Sequence, residues 1–195
     1  EAVGHYRVAL ALRPSATLYN NLGFALKASG RIDEAISLYE DAIRLDPDHA
    51  LALLNLGVAL KAQGRLDEAV DRYRRAIEAD PAFAQAHNNL ANALKAQGNF
   101  AGAIQHFEET VRLDPSLAEP HYNLAKLFAE QGRTEEAIVQ YEEALRLLPT
   151  LHQAHNNLGR LLAERAEWDR ALLHLRRAVE LAPDDAFAHT NLGKA

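Results

Sequence analysis

The chain has 195 residues, 48% of them hydrophobic and 25% charged, which suits an ordinary water-soluble protein with a sizeable core. Its formal net charge of −6 leaves no basic excess to displace counterions from a phosphate backbone, so general nucleic-acid affinity is excluded as an expectation. It has no cysteine, which removes disulfides, thiol redox chemistry and thiolate metal sites, and no apolar run reaches the roughly eighteen residues of a membrane span.

In chain order, residues 1 to 15 predict a lone second helix. Glu1-Ala2 corresponds to Glu34-Ala35, Tyr6 to Tyr39, Ala9 to Ala42 and Pro14 to Pro47. Five full units follow, at 16–49, 50–83, 84–117, 118–151 and 152–185, and residues 186–195 repeat most of a first helix. Leu56, Leu90, Leu124, Leu158 and Leu192 fall in one register, as do Pro47, Pro81, Pro115, Pro149 and Pro183. A fixed period of 34 residues marks a stacked repeat array. Within the unit starting at Ala84, Leu90, Ala91 and Leu94 recur at helical spacing, and so do Ala103, Ile104, Phe107 and Val111. Each unit therefore predicts two amphipathic helices. Gly98 separates them by taking the left-handed conformation that ends a helix. Gly30, Gly64 and Gly132 do the same elsewhere, while Ala166 makes the fifth turn less favourable. Asp114-Pro115 stops the second helix, because proline lacks the amide donor and disfavours helical geometry in the residue before it.

Small residues at position eight (Gly23, Gly57, Ala91, Ala125, Gly159) and alanine at twenty let the two backbones approach. Tyr39, Tyr73, Phe107 and Tyr141 fill the facing holes, with Leu175 in the fifth unit. This pattern resembles the tetratricopeptide repeat family along the whole chain. Departures are local: Thr110 replaces alanine at twenty-seven, Thr134 replaces a bulky apolar residue at seventeen, and the first unit is one residue short near Pro14. The resemblance implies an all-α, right-handed superhelical solenoid of antiparallel helix pairs.

It also implies that positions two, five, six, nine, twelve and thirteen of the first helices face an inner surface. Position six is asparagine in every copy: Asn21, Asn55, Asn89, Asn123, Asn157 and Asn191. Position five adds Asn20, Asn88 and Asn156, and position nine adds Asn92. An amide offers both donors and an acceptor and so complements a peptide group. Helices packed about 8–10 Å apart would meet an extended chain, rising roughly 3.3 Å per residue, at about every third residue. A solvated or locally bonded amide would leave the same sequence. Lys27, Lys61 and Lys95 share position twelve, and Lys126, Arg160 and Lys194 share position nine. They form a basic line suited to carboxylates or phosphates, or a solvated helix face partly offset by Glu130 and Glu164. The family's clamp for acidic C-terminal tails needs lysine at five and does not carry over.

His87, His121, His155 and His189 recur at position four, which predicts packing roles. His152 and His155 share a helix face but lack a third metal ligand, so neither a metal nor a cofactor is expected. No glycine-rich nucleotide loop, cysteine nucleophile or zinc-protease signature is present, and the carboxylates do not converge, so no catalysis is expected of these residues. AHNNLA in the third unit and AHNNLG in the fifth resemble the repeat region of O-linked N-acetylglucosamine transferases. Two functions are thereby expected: a scaffold binding extended peptide segments of partner proteins, or the substrate-recruiting arm of such a transferase. The half-units at both ends predict a piece of a longer protein, and head-to-tail self-association through heterologous contacts. Neither a nucleic-acid nor a membrane partner is expected, and a cysteine-free chain fits a cytoplasmic setting.

Overall fold

A computed structural model describes residues 2–195, so the correspondence expected for Glu1 lies outside the described residues. The elements are α1 (Ala2–Leu12), α2 (Ala16–Ala28), α3 (Ile32–Leu45), α4 (Ala50–Ala62), α5 (Leu66–Ala79) and α6 (Ala84–Ala96). They continue with α7 (Phe100–Leu113), α8 (Ala118–Glu130), α9 (Thr134–Leu147), α10 (His152–Glu164), α11 (Trp168–Leu181) and α12 (Ala186–Lys194). Among the described residues there are helices and no strands, as the sequence pattern predicts. Tertiary contacts group into two compact units, one ending at His106 and the other running from Phe107 to Ala195. In the first, α2 pairs with α3 and α4 with α5; in the second, α8 pairs with α9 and α10 with α11.

The turn inside each pair has a common cause. Gly30 sits at φ 80°, where its N–H donates to the Lys27 carbonyl and the next N–H, of Arg31, reaches back to Leu26, both at 3.0 Å. That pair of reverse bonds satisfies carbonyls that the helix end leaves open. Ala166 adopts the same conformation at φ 59° with the equivalent bond from Glu167 to Leu162. A β-carbon in the left-handed region costs roughly 1–2 kcal/mol, so this turn is held by its surroundings and not by its own preference.

Between pairs, the second helix ends at its Pro turn and the next first helix begins with little capping of its own. Phe83, Leu117 and Leu151 occupy N-cap positions without a side-chain cap. Histidine supplies a tether at α6 and α10 and adds to the Asp185 cap at α12, whereas His121 Nε2 in α8 is buried without a partner. The Nε2 atoms of His87, His155 and His189 lie 3.2, 3.1 and 2.9 Å from the carbonyls of Pro81, Pro149 and Pro183, pinning the first turn of the helix to the loop before it.

Helix pairs close at the small residues. A β-carbon on Gly57 would lie 2.5 Å from the Tyr73 ring, one on Gly23 2.7 Å from Tyr39, and one on Gly159 2.6 Å from Leu175. Tyr39, Tyr73, Phe107 and Leu175 are fully buried as a result. Such interdigitation fills the interior at the density of an organic crystal, and each unit's core depends on it.

Candidate functional site

The first helices bring the conserved-register amides together across neighbouring repeats. In the first unit the Asn55 Nδ2 donates to Asn20 Oδ1 at 2.9 Å, a bond that is buried. In the second, Asn191 Nδ2 donates to Asn156 Oδ1, also at 2.9 Å. Each bond joins position six of one repeat to position five of the repeat before. Where position five is Tyr122, the Asn157 amide instead bonds the hydroxyls of Tyr122 and Tyr141, opposing the rise in pKa that burial imposes on both. Asn20, Asn55, Asn123 and Asn156 are buried, whereas Asn21, Asn89, Asn157 and Asn191 are half-buried. Asn92 Nδ2 donates to the Asn88 carbonyl in its own helix at 3.2 Å. Part of the amide series thus links repeats to one another, a use that the sequence left open beside ligand binding.

Cations are placed differently in the two units. In the first, the Lys27 ammonium lies over the Phe24 ring, 5.5 Å from its centroid, and partial burial lowers its pKa. Lys61 is exposed and Lys95 half-buried. In the second unit the position-nine cations line actual cavities. Lys126, Glu130, Tyr141, Asn157 and Arg160 surround one of about 150 Å³. Arg160, Glu164, Trp168, Asn191 and Lys194 surround another of about 270 Å³. Adding one repeat to Lys126, Ala129, Glu130, Asn157 and Arg160 gives Arg160, Ala163, Glu164, Asn191 and Lys194, so the second cavity is the first moved along by one period. Arg160 belongs to both and forms an ion pair with Glu164. Lys126 and Lys194 hold no ion pair among the described residues. Across the two cavities three cations, Arg160 being common to both, stand with two carboxylates.

A larger space of about 310 Å³ lies elsewhere in the second unit, lined by Val111, Leu124, Phe128, Val139 and the carboxylates of Glu135 and Glu136. It contains none of the candidate binding residues named from the sequence. Arg165 and Arg133 already pair with those two carboxylates.

The histidines form pairs that sequence spacing did not reveal. His155 Nδ1 is 2.9 Å from His174 Nδ1, and His87 Nδ1 is 3.1 Å from His106 Nδ1, each pair nineteen residues apart. In the intervening repeat the same place is taken by His121 and Gln140, at 2.7 Å. Nε2 of His155 can only donate to the Pro149 carbonyl, so with both rings neutral its Nδ1 accepts and His174 Nδ1 donates. Burial, with His155 and Arg170 nearby, pushes the His174 pKa down to about 4, and burial lowers that of His155 as well. His155 therefore turns to His174 instead of joining His152, and among the described residues no group of three or more His, Asp or Glu is arranged to hold a metal. None of the described helices is long and apolar enough to cross a membrane.

Tetratricopeptide repeat models match residues 14–82, 59–118, 125–165 and 152–185. No curated protein matches the chain. Among solved structures it is similar to YrrB, described as a TPR protein with an unusual peptide-binding site, at 22% identity and a TM-score of 0.83, over 97% of this chain and 98% of that one. It is also similar to PilF of Pseudomonas aeruginosa, at 21% identity and a TM-score of 0.87, over 97% and 87% of the two chains. MamA aligns at 23% identity with a TM-score of 0.76, over 88% of this chain and 93% of its own. At these identities the likeness is one of fold, and together with the repeat models it establishes that the chain belongs to the tetratricopeptide repeat family.

Proposed function

We propose that this protein is an interaction scaffold that binds extended peptide segments of partner proteins along the face of its first helices, and performs no chemistry on them. The observation that carries this reading is the pair of cavities one repeat apart, each presenting two cations and a position-six amide. A ligand that meets the same groups at a regular step is an extended chain, because its own backbone repeats at a fixed rise. The peptide-binding site described for YrrB, a protein of the same architecture, supports the reading by analogy of fold.

The test is binding of an unbiased library of disordered peptides to the protein and to two variants matched for helicity. One changes Asn55, Asn89, Asn123 and Asn157 to alanine; the other changes Lys126 and Arg160 to alanine. The scaffold reading expects measurable binding that at least one variant weakens by tenfold or more. Absence of binding throughout the library contradicts it. A transferase arm is the second reading, favoured by the AHNNLA and AHNNLG stretches of the third and fifth repeats. It would be upheld by glycosyl transfer to bound proteins when the repeats are joined to a catalytic domain, and lost if such transfer ignored the repeats.

A further inference from the structure

The two repeat-related cavities of the second unit share charged and amide positions but differ in their aromatic wall, Tyr141 in the smaller and Trp168 in the larger, which Ala195 also borders. The smaller is walled by Lys126, Asn157 and Arg160, with the Tyr141 hydroxyl already engaged by Asn157. Lys126 holds no ion pair among the described residues, and Arg160, paired with Glu164 through one terminal nitrogen, keeps its remaining N–H groups for a second acceptor, with Glu130 on the rim. An entering carboxylate would gain two charge-assisted hydrogen bonds there. The larger cavity shares that arginine and its ion pair with Glu164, and gains the indole of Trp168, which is 49% exposed. An exposed indole beside a cavity offers a flat apolar wall, the kind of surface that anchors an aromatic or aliphatic side chain.

We infer that these cavities are consecutive subsites of one peptide groove, the first taking an acidic side chain between Lys126 and Arg160 and the second an apolar side chain against Trp168. The inference rests on the scaffold reading above and narrows its ligand class. Neighbouring first helices packed about 8–10 Å apart, against roughly 3.3 Å per residue of extended chain, set the two side chains about three residues apart. The recognised motif is therefore a carboxylate and a bulky apolar residue separated by two others, in a segment able to lie extended.

Fluorescence anisotropy tests it with short Gly/Ser peptides carrying Glu-x-x-Phe and the reversed Phe-x-x-Glu, beside counterparts in which Glu becomes Lys or Phe becomes Ala. One order should bind the protein about tenfold more tightly than its Lys and Ala counterparts. Lys126→Glu should abolish the preference for Glu and restore binding of the Lys peptide, and Trp168→Ala should erase the difference between Phe and Ala. Both residues are exposed, so circular dichroism should be unchanged. Equal affinity for Glu and Lys peptides, or indifference to both substitutions, overturns the subsites; if other library peptides still bind, the scaffold reading survives that result. Failure of every peptide to bind overturns both.

Discussion

The unit ending at His106 and the unit beginning at Phe107 use the same repeat positions in different ways. In the first, the hydroxyls of Tyr39 and Tyr73 are buried without a hydrogen-bond partner, and burial pushes their pKa values up to about 12. In the second, the equivalent Tyr141 hydroxyl is bonded by Asn157. For Tyr39 and Tyr141 the difference goes with the residue at position five of the same repeat, Asn20 or Tyr122. Where position five is Asn20, the Asn55 amide is drawn sideways to it. Where position five is Tyr122, Asn157 turns to the two phenols and stands in a cavity with Lys126 and Arg160. At these two places a different residue at position five accompanies a different partner for the amide, while Tyr73 stays unbonded in a repeat whose position five is Leu54.

The largest effect should come from truncating the shared anchor. Tyr73→Ala and Tyr141→Ala should each lose about 3–5 kcal/mol in urea unfolding, because both empty a buried aromatic site. A difference well beyond the about 1 kcal/mol of the one hydrogen bond to Tyr141 would break the equivalence of the two helix pairs. Exchanging the turn residues separates the units next. Gly64→Ala in the first should destabilise by about 1–2 kcal/mol, and Ala166→Gly in the second should stabilise by a similar amount, since each changes the cost of a β-carbon at φ 78° or 59°. Thermal melting in the two variants should therefore move in opposite directions. Removing only the hydroxyl sharpens the comparison further. Tyr141→Phe should cost about 1 kcal/mol through its lost bond to Asn157, while Tyr73→Phe should be neutral or stabilising because a buried unpaired hydroxyl is relieved.

The smallest effect at neutral pH belongs to the histidine pair and grows only in acid. The His174 pKa is lowered in the folded state to about 4, so between its unfolded value near 6.5 and that point the unfolded chain binds more protons. Stability should accordingly be complete above about pH 6.5 and fall as the pH drops toward 4. His174→Gln reproduces the arrangement that His121 and Gln140 already form, and should flatten this slope in melting curves across the range. An unchanged slope would place the acid sensitivity elsewhere.

The helices and the turns between them were legible because their causes are local. Gly30, Gly64, Gly98 and Gly132 mark turns through backbone permissiveness alone, and the dihedral angle at Ala166 shows the same turn imposed by packing on a residue that disfavours it. Pairing of small with large residues was legible too, since Gly57 and Tyr73 stand at fixed places in the period. What the sequence could not show is which of several reachable partners a polar side chain selects. Asn55 has both Asn20 and Tyr39 within a repeat of it, and only the geometry of stacked helices reveals that Asn20 receives the bond. His155 looked like a neighbour of His152 on one helix, yet it meets His174 of the facing helix nineteen residues later. That spacing recurs at His87 and His106, and was the signal available for finding these pairs. Trp168 was missed for a similar reason: as the first residue of a second helix it lies outside the positions the family resemblance assigns to the inner face, but it borders the cavity of Arg160 and Lys194.

Ligands should meet the face of the first helices, which amide chemical-shift mapping with the Glu-x-x-Phe and Phe-x-x-Glu peptides can locate residue by residue. The prediction is perturbation concentrated at Lys126, Glu130, Asn157, Arg160, Asn191 and Lys194, with the Trp168 indole responding to the aromatic residue. Perturbation centred instead on Val111, Phe128 and Val139, around the separate apolar space of the second unit, would contradict it.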